Sequence, residues 1–324
     1  MRKRNPLILI KNDQGFTLVE LMITMAITAV ILLSVYAAYS IQSKSYSTQR
    51  EVAKIQQDLR GALYMMEFDV LNAGRDPNLS NRYGLTDIRS YDYHTGSLDN
   101  TMLPAAFVRP VEPSTICFAS FPVLEFTSLR TDTNNDNIGD AQMTIRYQVY
   151  DFNNDGRLDL GRRVNGGAPD LVAEGVVAVG YAFAYNPNPD GHYKMDRTAP
   201  AIPGTLGNVI WAADTNGDSL LDTNIDGTGD GEITAADDTD GNGVIDSLDL
   251  GGPLASSVDL RNIVAVRIWL LLQSERPSPE NVIDRNYYVV GNRIIPPPNQ
   301  APFNDRYQRR VETVTLALRN FKKS

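Results

Sequence analysis

Apolar and polar positions divide the chain into a helical first part and a strand-rich remainder. Residues 21–43 form an unbroken run of 23 uncharged residues, bounded by Glu20 and Lys44. At about 1.5 Å per residue a helix of this length reaches about 35 Å, more than the roughly 30 Å hydrocarbon core of a bilayer. The run is expected to span a membrane. Beyond it the helical spacing persists while polarity rises. Val52, Ile55, Leu59, Leu63, Met66 and Val70 recur at steps of three and four, with Arg50, Glu51, Lys54, Gln57, Asp58 and Arg60 around them. That stripe predicts packing beneath a sheet. Asn72-Ala73-Gly74 and then Asp76-Pro77 stop the helix.

After residue 74 no long helical pattern recurs. Runs rich in β-branched and aromatic residues predict strands at 115–119, 123–129, 143–150, 171–185, 263–272, 286–290 and 310–318. In the third of these Ile145, Tyr147 and Val149 face one way and Thr144, Arg146 and Gln148 the other, which suits an antiparallel strand with one solvated face. Residues 263–272, apolar apart from Arg267, belong at the sheet centre. Residues 77–113 read as loop. The predicted class is α+β: a long N-terminal helix, transmembrane then amphipathic, packed on a mostly antiparallel β-sheet. The expected parts are a leader (1–15), the helix (16–74, span about 21–43), a first β-rich part (75–211), an acidic insertion (212–250) and C-terminal strands (251–324).

Charge sharpens this picture. The net charge is −9, yet residues 212–250 hold eleven acids and no Lys or Arg, so the remainder carries +2. The acidity is local. Arg2, Lys3, Arg4 and Lys11, offset by Asp13, precede the span. By the positive-inside rule they keep the N-terminus in the cytoplasm and export the chain beyond Lys44. The lone Cys117 excludes an intrachain disulfide, so folding rests on packing and any bound metal. His94 and His192 are isolated, and no phosphate loop or zinc spacing occurs, so no enzyme is predicted. Basic residues are not interleaved with aromatics, so no nucleic-acid partner is predicted. Arg309 and Arg310 are candidates for contact with an acid on a neighbouring subunit.

Glu20 is a carboxylate at the head of the membrane helix. An ionised acid in lipid costs about 2.5 to 3.5 kcal/mol on insertion scales, so a partner is expected. A free α-amine at Phe16 would serve, if the chain were cut after Gly15. The basic leader, Gly15, Phe16, Thr17-Leu18-Val19-Glu20-Leu21 and the apolar helix behind them resemble the class III signal of type IV pilins and pseudopilins. The resemblance implies cleavage by prepilin peptidase, N-methylphenylalanine at Phe16, and a role for Glu20 in docking the subunit into a growing filament. Residues 46–74, with Ile55-Gln56-Gln57-Asp58-Leu59-Arg60 and Glu67-Phe68-Asp69-Val70, look like the helix of PilW-type minor pilins. The runs 263–271 and 309–320 are similar to that family's C-terminal half.

This second resemblance implies a minor pilin acting in pilus assembly, in priming or at the tip. Its implied partners are prepilin peptidase, other minor and major pilins, the inner-membrane assembly platform and membrane lipid. The implied location is the inner membrane, single-pass, with the C-terminal domain periplasmic, and then an extracellular pilus or a pseudopilus. J-type pseudopilins of type II secretion share the plan. A calcium-dependent adhesive tip module is a further, compatible reading.

That reading comes from the acidic segment. Ca²⁺ takes six to eight oxygens at about 2.3 to 2.6 Å, and a short loop supplies them when a glycine permits the sharp turn at its sixth position. Asp238, Asp240, Asn242, Asp246 and Asp249 fall at positions 1, 3, 5, 9 and 12 of such a loop, with Gly243 at 6, the Val244 carbonyl at 7 and Ile245 at 8. Asp226, Thr228, Asp230, Thr234 and Asp237 repeat it, with Gly231 at 6. Three copies are partial. Asp151, Asn153, Asp155, Gly156 and Asp159 match, but Arg162 stands at 12. Asp214, Asn216, Asp218 and Asp222 have Ser219 at 6 and Ile225 at 12, and Asp132, Asn134, Asp136 and Asp140 lack both the glycine and the last acid. The loops resemble dockerin or thrombospondin type 3 repeats. Calcium is expected to fold the segment by neutralising carboxylates that otherwise repel.

Overall fold

The computed structural model describes residues 17–75, 84–88, 123–131, 141–153, 155–185, 209–215, 218–258, 260–279 and 282–318. The chain forms two compact units, Met1–Gln49 and Arg50–Ser324. Helix α1 (Leu18–Leu71) supplies the described part of the first and the opening of the second. In the first unit residues 17–39 are exposed throughout, and the helix is long and apolar enough to cross a membrane. An apolar surface this continuous calls for lipid or another apolar surface around it.

In the second unit α1 buries Ile55, Leu59, Ala62, Met66 and Val70. It ends where its stop signal stands. Asn72 Nδ2 donates back to the Phe68 carbonyl at 2.7 Å, and the Gly74 N–H leaves the helix to donate to the Thr127 carbonyl at 3.0 Å. Twelve strands follow among the described residues: β1 (Leu85–Asp87), β2 (Leu124–Thr131), β3 (Ala141–Tyr150), β4 (Leu158–Val164), β5 (Asp170–Tyr185), β6 (Ile210–Ala213), β7 (Leu221–Asn224), β8 (Pro253–Val258), β9 (Ile263–Gln273), β10 (Tyr288–Val290), β11 (Arg293–Ile295) and β12 (Arg309–Ala317). Ten join one sheet, in the order β1 to β8, with β9 also paired to β5 and β12 to β9. All the pairs are antiparallel, and β10 and β11 form a separate hairpin.

The central strands β5 and β9 are buried on both faces, as continuous apolar runs require. One face holds Tyr181, Phe183, Val266, Ile268 and Leu270 against the helix. The other holds Ala182, Ala184, Ala265, Trp269 and Leu271 with Trp211 from β6. Ile225, Ile233 and Ile245 from the acidic segment cover this second face, with Val290 and Ile295 of the hairpin. At Gly180 of β5 the Val290–Gly291 backbone lies so close that any Cβ would collide with it.

This arrangement corrects three expectations. The acidic stretch 212–250 is not an insertion beside the domain: it begins inside β6, contributes β7 to the sheet and forms the layer over its second face. The run at 286–290 pairs with β11 rather than joining the sheet. The second face of β3 is not solvated along its length, since Gln148 and Tyr150 are 9% and 7% exposed, and the Tyr150 ring occupies the space a side chain at Gly161 would fill. Strands β4, β6, β7, β8 and β11 went unpredicted, as did β1, which pairs with β2 from within the stretch 77–113 read as loop; the run at 115–119 lies outside the described residues.

One buried acid fastens helix to sheet. Asp69, 1% exposed, accepts from Tyr147 Oη at 2.7 Å and from Arg162 Nε and Nη2 at 2.5 and 3.3 Å. Burial, and then the adjacent Asp69 charge, push the Tyr147 phenol above its ordinary pKa. Removing one partner of such a pair leaves the other uncompensated and costs about 3 kcal/mol or more. Asp69→Ala is expected to lose that much in denaturant unfolding of the full chain in detergent micelles. Asp69→Asn, which keeps an acceptor for Tyr147, is expected to lose distinctly less; equal losses would show that the neutral acceptor contributes nothing and the charge carries the whole effect.

Candidate functional site

At the head of the first unit, Gly15 and Phe16 lie outside the described residues, and Glu20 occupies the first turn of α1. Thr17 N–H and Oγ1 donate to Glu20 Oε2 at 2.9 and 3.0 Å, while Glu20 N–H donates to Thr17 Oγ1 at 3.2 Å. This reciprocal pair is a capping box, which satisfies two donors that a helix N-terminus leaves open. The Thr-x-x-Glu spacing is the sequence signal that could have found it. Glu20 therefore has a partner within the uncleaved chain.

In the second unit four acidic loops share one backbone design. The first-position carboxylate accepts the sixth-position N–H in each: Asp151 from Gly156 at 3.1 Å, Asp214 from Ser219 at 2.8 Å, Asp226 from Gly231 at 2.9 Å and Asp238 from Gly243 at 2.8 Å. The fifth-position side chain accepts the seventh-position N–H in each: Asp155 from Arg157, Asp218 from Leu220, Asp230 from Glu232 and Asn242 from Val244, all within 2.9 Å. The sixth residue has positive φ throughout, at 79°, 64°, 80° and 89°, including the non-glycine Ser219. The eighth residue is apolar and turned inward: Leu221, Ile233 and Ile245 are buried and Leu158 half-buried.

The loops differ in how they close. Asp237 and Asp249, at position 12, reach back to the N–H groups of Thr228 at 2.9 Å and Thr239 at 2.7 Å. Where position 12 is Arg162 or Ile225, the ninth residue does this instead. Asp222 accepts from Thr215 N–H at 3.1 Å, and Asp159 from Phe152 N–H at 3.4 Å. These two loops are the β6–β7 and β3–β4 hairpin connections, so the chain turns back into a strand before a twelfth position is reached. Arg162 is committed to Asp69, and Ile225 to the second core. The Asp132 loop and Asn216 lie outside the described residues.

One carboxylate oxygen from each of Asp238, Asp240 and Asp249 lies within 4.8 Å of the other two. Oxygens sharing one Ca²⁺ at about 2.3 to 2.6 Å are at most about 5 Å apart, so this set fits that ion's radius. Asn242 and Asp246 sit in the same loop, each also occupied by a local backbone N–H. In the preceding loop burial, then the neighbouring Asp237 and Asp230, raise the Asp226 pKa to about 6. Burial also raises those of Asp238 and Asp159, with Asp249 repelling the first and Asp155 and Glu174 the second. Charge held in this way is relieved by a cation. Asn153 and Asp155 remain exposed at the β3–β4 turn.

Arg309, expected to face a neighbouring subunit, and Arg267, the one charge in the apolar run 263–272, are both internal. Arg309 is 3% exposed, pairs with Asp284 at 3.0 Å and Asp305 at 2.7 Å, and lies 3.6 Å above the Phe303 ring. It is spent within its own chain and does not present itself to a neighbour, whereas Arg310 is exposed. Arg267 stacks 4.3 Å from the Trp211 ring centre and donates from Nη2 to the Gly231 carbonyl at 2.9 Å.

Comparison with known proteins meets this geometry at both ends of the chain. Residues 10–36 match the prokaryotic N-terminal methylation motif, and residues 226–320 match the type IV pilus-assembly protein W model. No curated protein matches the chain. A type IV-like pilin from Thermus thermophilus aligns over 83% of this chain and 99% of its own at 10% identity, with a TM-score of 0.34, too distant to bear on the fold. The methylation motif on an exposed apolar helix that leads into an antiparallel sheet defines a type IV pilin-like chain. The match over its C-terminal part supports a minor pilin of the PilW type.

The loop design yields a graded prediction. Gly243→Ala places a Cβ 2.6 Å from Pro297 at a φ of 89°, and is expected to cost more than about 2 kcal/mol. Gly156→Ala, equally left-handed but with nothing within 4 Å, should cost about 1 kcal/mol. Ser219→Gly should lose nothing or gain. Thermal unfolding of the three variants checks the order.

Proposed function

We propose that this chain is a minor pilin of a type IV pilus, cut after Gly15 by prepilin peptidase and methylated on Phe16. The observation that carries the reading is the methylation motif at the head of a helix whose side chains are exposed over residues 17–39. Such a helix suits lipid before assembly and neighbouring pilin helices after it. The basic flank argues for a cytoplasmic N-terminus and a periplasmic second unit. The role is structural rather than catalytic, in assembly, priming or at the tip. Glu20→Ala removes both the capping acceptor and the charge, whereas Glu20→Gln keeps an acceptor. If Glu20 docks against the Phe16 amine of a neighbouring or its own chain, both variants should be cleaved yet enter filaments poorly, by immunoblot of sheared pili. Normal incorporation of Glu20→Gln would remove the charge from the docking role.

A second reading concerns the loops: we infer that they bind Ca²⁺, through Asp226, Thr228, Asp230 and Asp237, through Asp238, Asp240, Asn242, Asp246 and Asp249, and through Asp151, Asn153, Asp155 and Asp159. The clustered oxygens and repelling buried acids support it. The two complete loops fall within the segment matched by the protein W model. Deleting 212–250 would not isolate this role, because it removes β7 and uncovers Trp211 and Trp269. Point variants do so. At calcium ten to a hundred times the dissociation constant, each site should add about 1.4 to 2.7 kcal/mol of stability. Full-length chain in detergent micelles, melted with calcium, with magnesium and with chelator, reads this directly. Asp238→Asn should remove part of the calcium shift, and identical melting in all three conditions would sink the idea.

A further inference from the structure

Arg267 sits on the central strand β9 beneath the first complete acidic loop, and three of its groups are engaged by three different elements. Nη2 donates to the Gly231 carbonyl in that loop at 2.9 Å. Nε donates to Thr315 Oγ1 on β12 at 3.1 Å. The guanidinium plane lies 4.3 Å from the Trp211 ring centre on β6 and 5.8 Å from that of Trp269. Nη1 lies 3.7 Å from Glu232 of the same loop. The side chain is 11% exposed. A planar guanidinium held by stacking and by donors on two edges has little freedom to let one partner go without reorienting toward the other.

We propose that Arg267 is a latch coupling the loop at 226–237 to strand β12, so that loop and strand open together. β12 pairs only with β9 among the described residues, so it is an edge of the sheet. Loosening of the loop would swing Arg267 off Gly231, disturb its bond to Thr315 and weaken the neighbouring stretch of that edge. The coupling passes through one side chain and does not depend on an ion in the loop.

Hydrogen exchange read by mass spectrometry on the full chain in detergent micelles tests it. Thr315→Val keeps the side-chain shape and deletes the acceptor on β12. The latch requires protection at 226–237 to fall by about tenfold or more in this variant, with 238–249 unchanged. Arg267→Met should lower protection in both 226–237 and 313–317, and Arg267→Lys, which cannot hold both acceptors with one plane, should do the same. Near-ultraviolet circular dichroism reports the stacked pair, since Trp211 and Trp269 are the chain's two tryptophans. An unchanged loop in Thr315→Val overturns the coupling. So does an equal loss of protection across 238–249, because a uniform change reports general loosening.

Discussion

The structure depends on one requirement: the central strands β5 and β9 need cover on both faces. The helix answers for one. For the other, with Trp211, Trp269, Leu271 and a floor of alanines, the described cover is a short hairpin and a stretch dense in aspartate. Polar loops roof an apolar face by a division of labour. Each turns its acids outward or into local backbone N–H groups and delivers one isoleucine inward, Ile233 from one loop and Ile245 from the next. The sixth-position left-handed turn sets this alternation, because it reverses the chain two residues before the inward one. The second loop is also sewn to the hairpin: Ile245 N–H donates to the Asn292 carbonyl and Ile294 N–H to the Gly243 carbonyl, at 2.8 and 2.9 Å.

Charge is placed to serve this layering. Each face of the sheet carries an engaged arginine, Arg162 on the helix side with Asp69, and Arg267 under the loops with Gly231 and Thr315. Both would be costly alone in a core, and both are held by at least two acceptors. The exposed pair at Lys54 and Glu174, 3.0 Å apart with both ends about half exposed, is a different matter. A surface pair of that kind adds little to stability.

Much of this was legible in the sequence, and the boundary of legibility has a physical cause. Periodicity exposed the helix and the long strands because a side chain buried on one face repeats in register with its element. Doubly buried 263–272 was legible as an apolar run. The strands of four residues, Ile210–Ala213 and Leu221–Asn224, were hidden because a short element flanked by Asp, Asn and Gly looks like the turn it frames. Asp69 was hidden because its partners are 78 and 93 residues away, and nothing local marks a helix acid as buried. The loops were recognised for their acids but misread as an appendage, since spacing of ligands says nothing about where the eighth residue points.

The layer also changes what repulsion between the acids would do. In a free appendage, unneutralised carboxylates merely extend a flexible segment. Here the same repulsion acts on the roof of a core. The first-position acids cannot retreat into solvent without abandoning the sixth-position N–H, and that bond holds the turn which delivers Ile233 and Ile245. Lifting either isoleucine exposes apolar surface at about 25 cal/mol per Å² and leaves Trp269 and Leu271 partly uncovered. Hydrophobic cover and electrostatic strain are thus set against each other through the same few backbone bonds. Any cation that relieves the strain stabilises the sheet's second face, and any loss of cover raises the cost of holding the acids together.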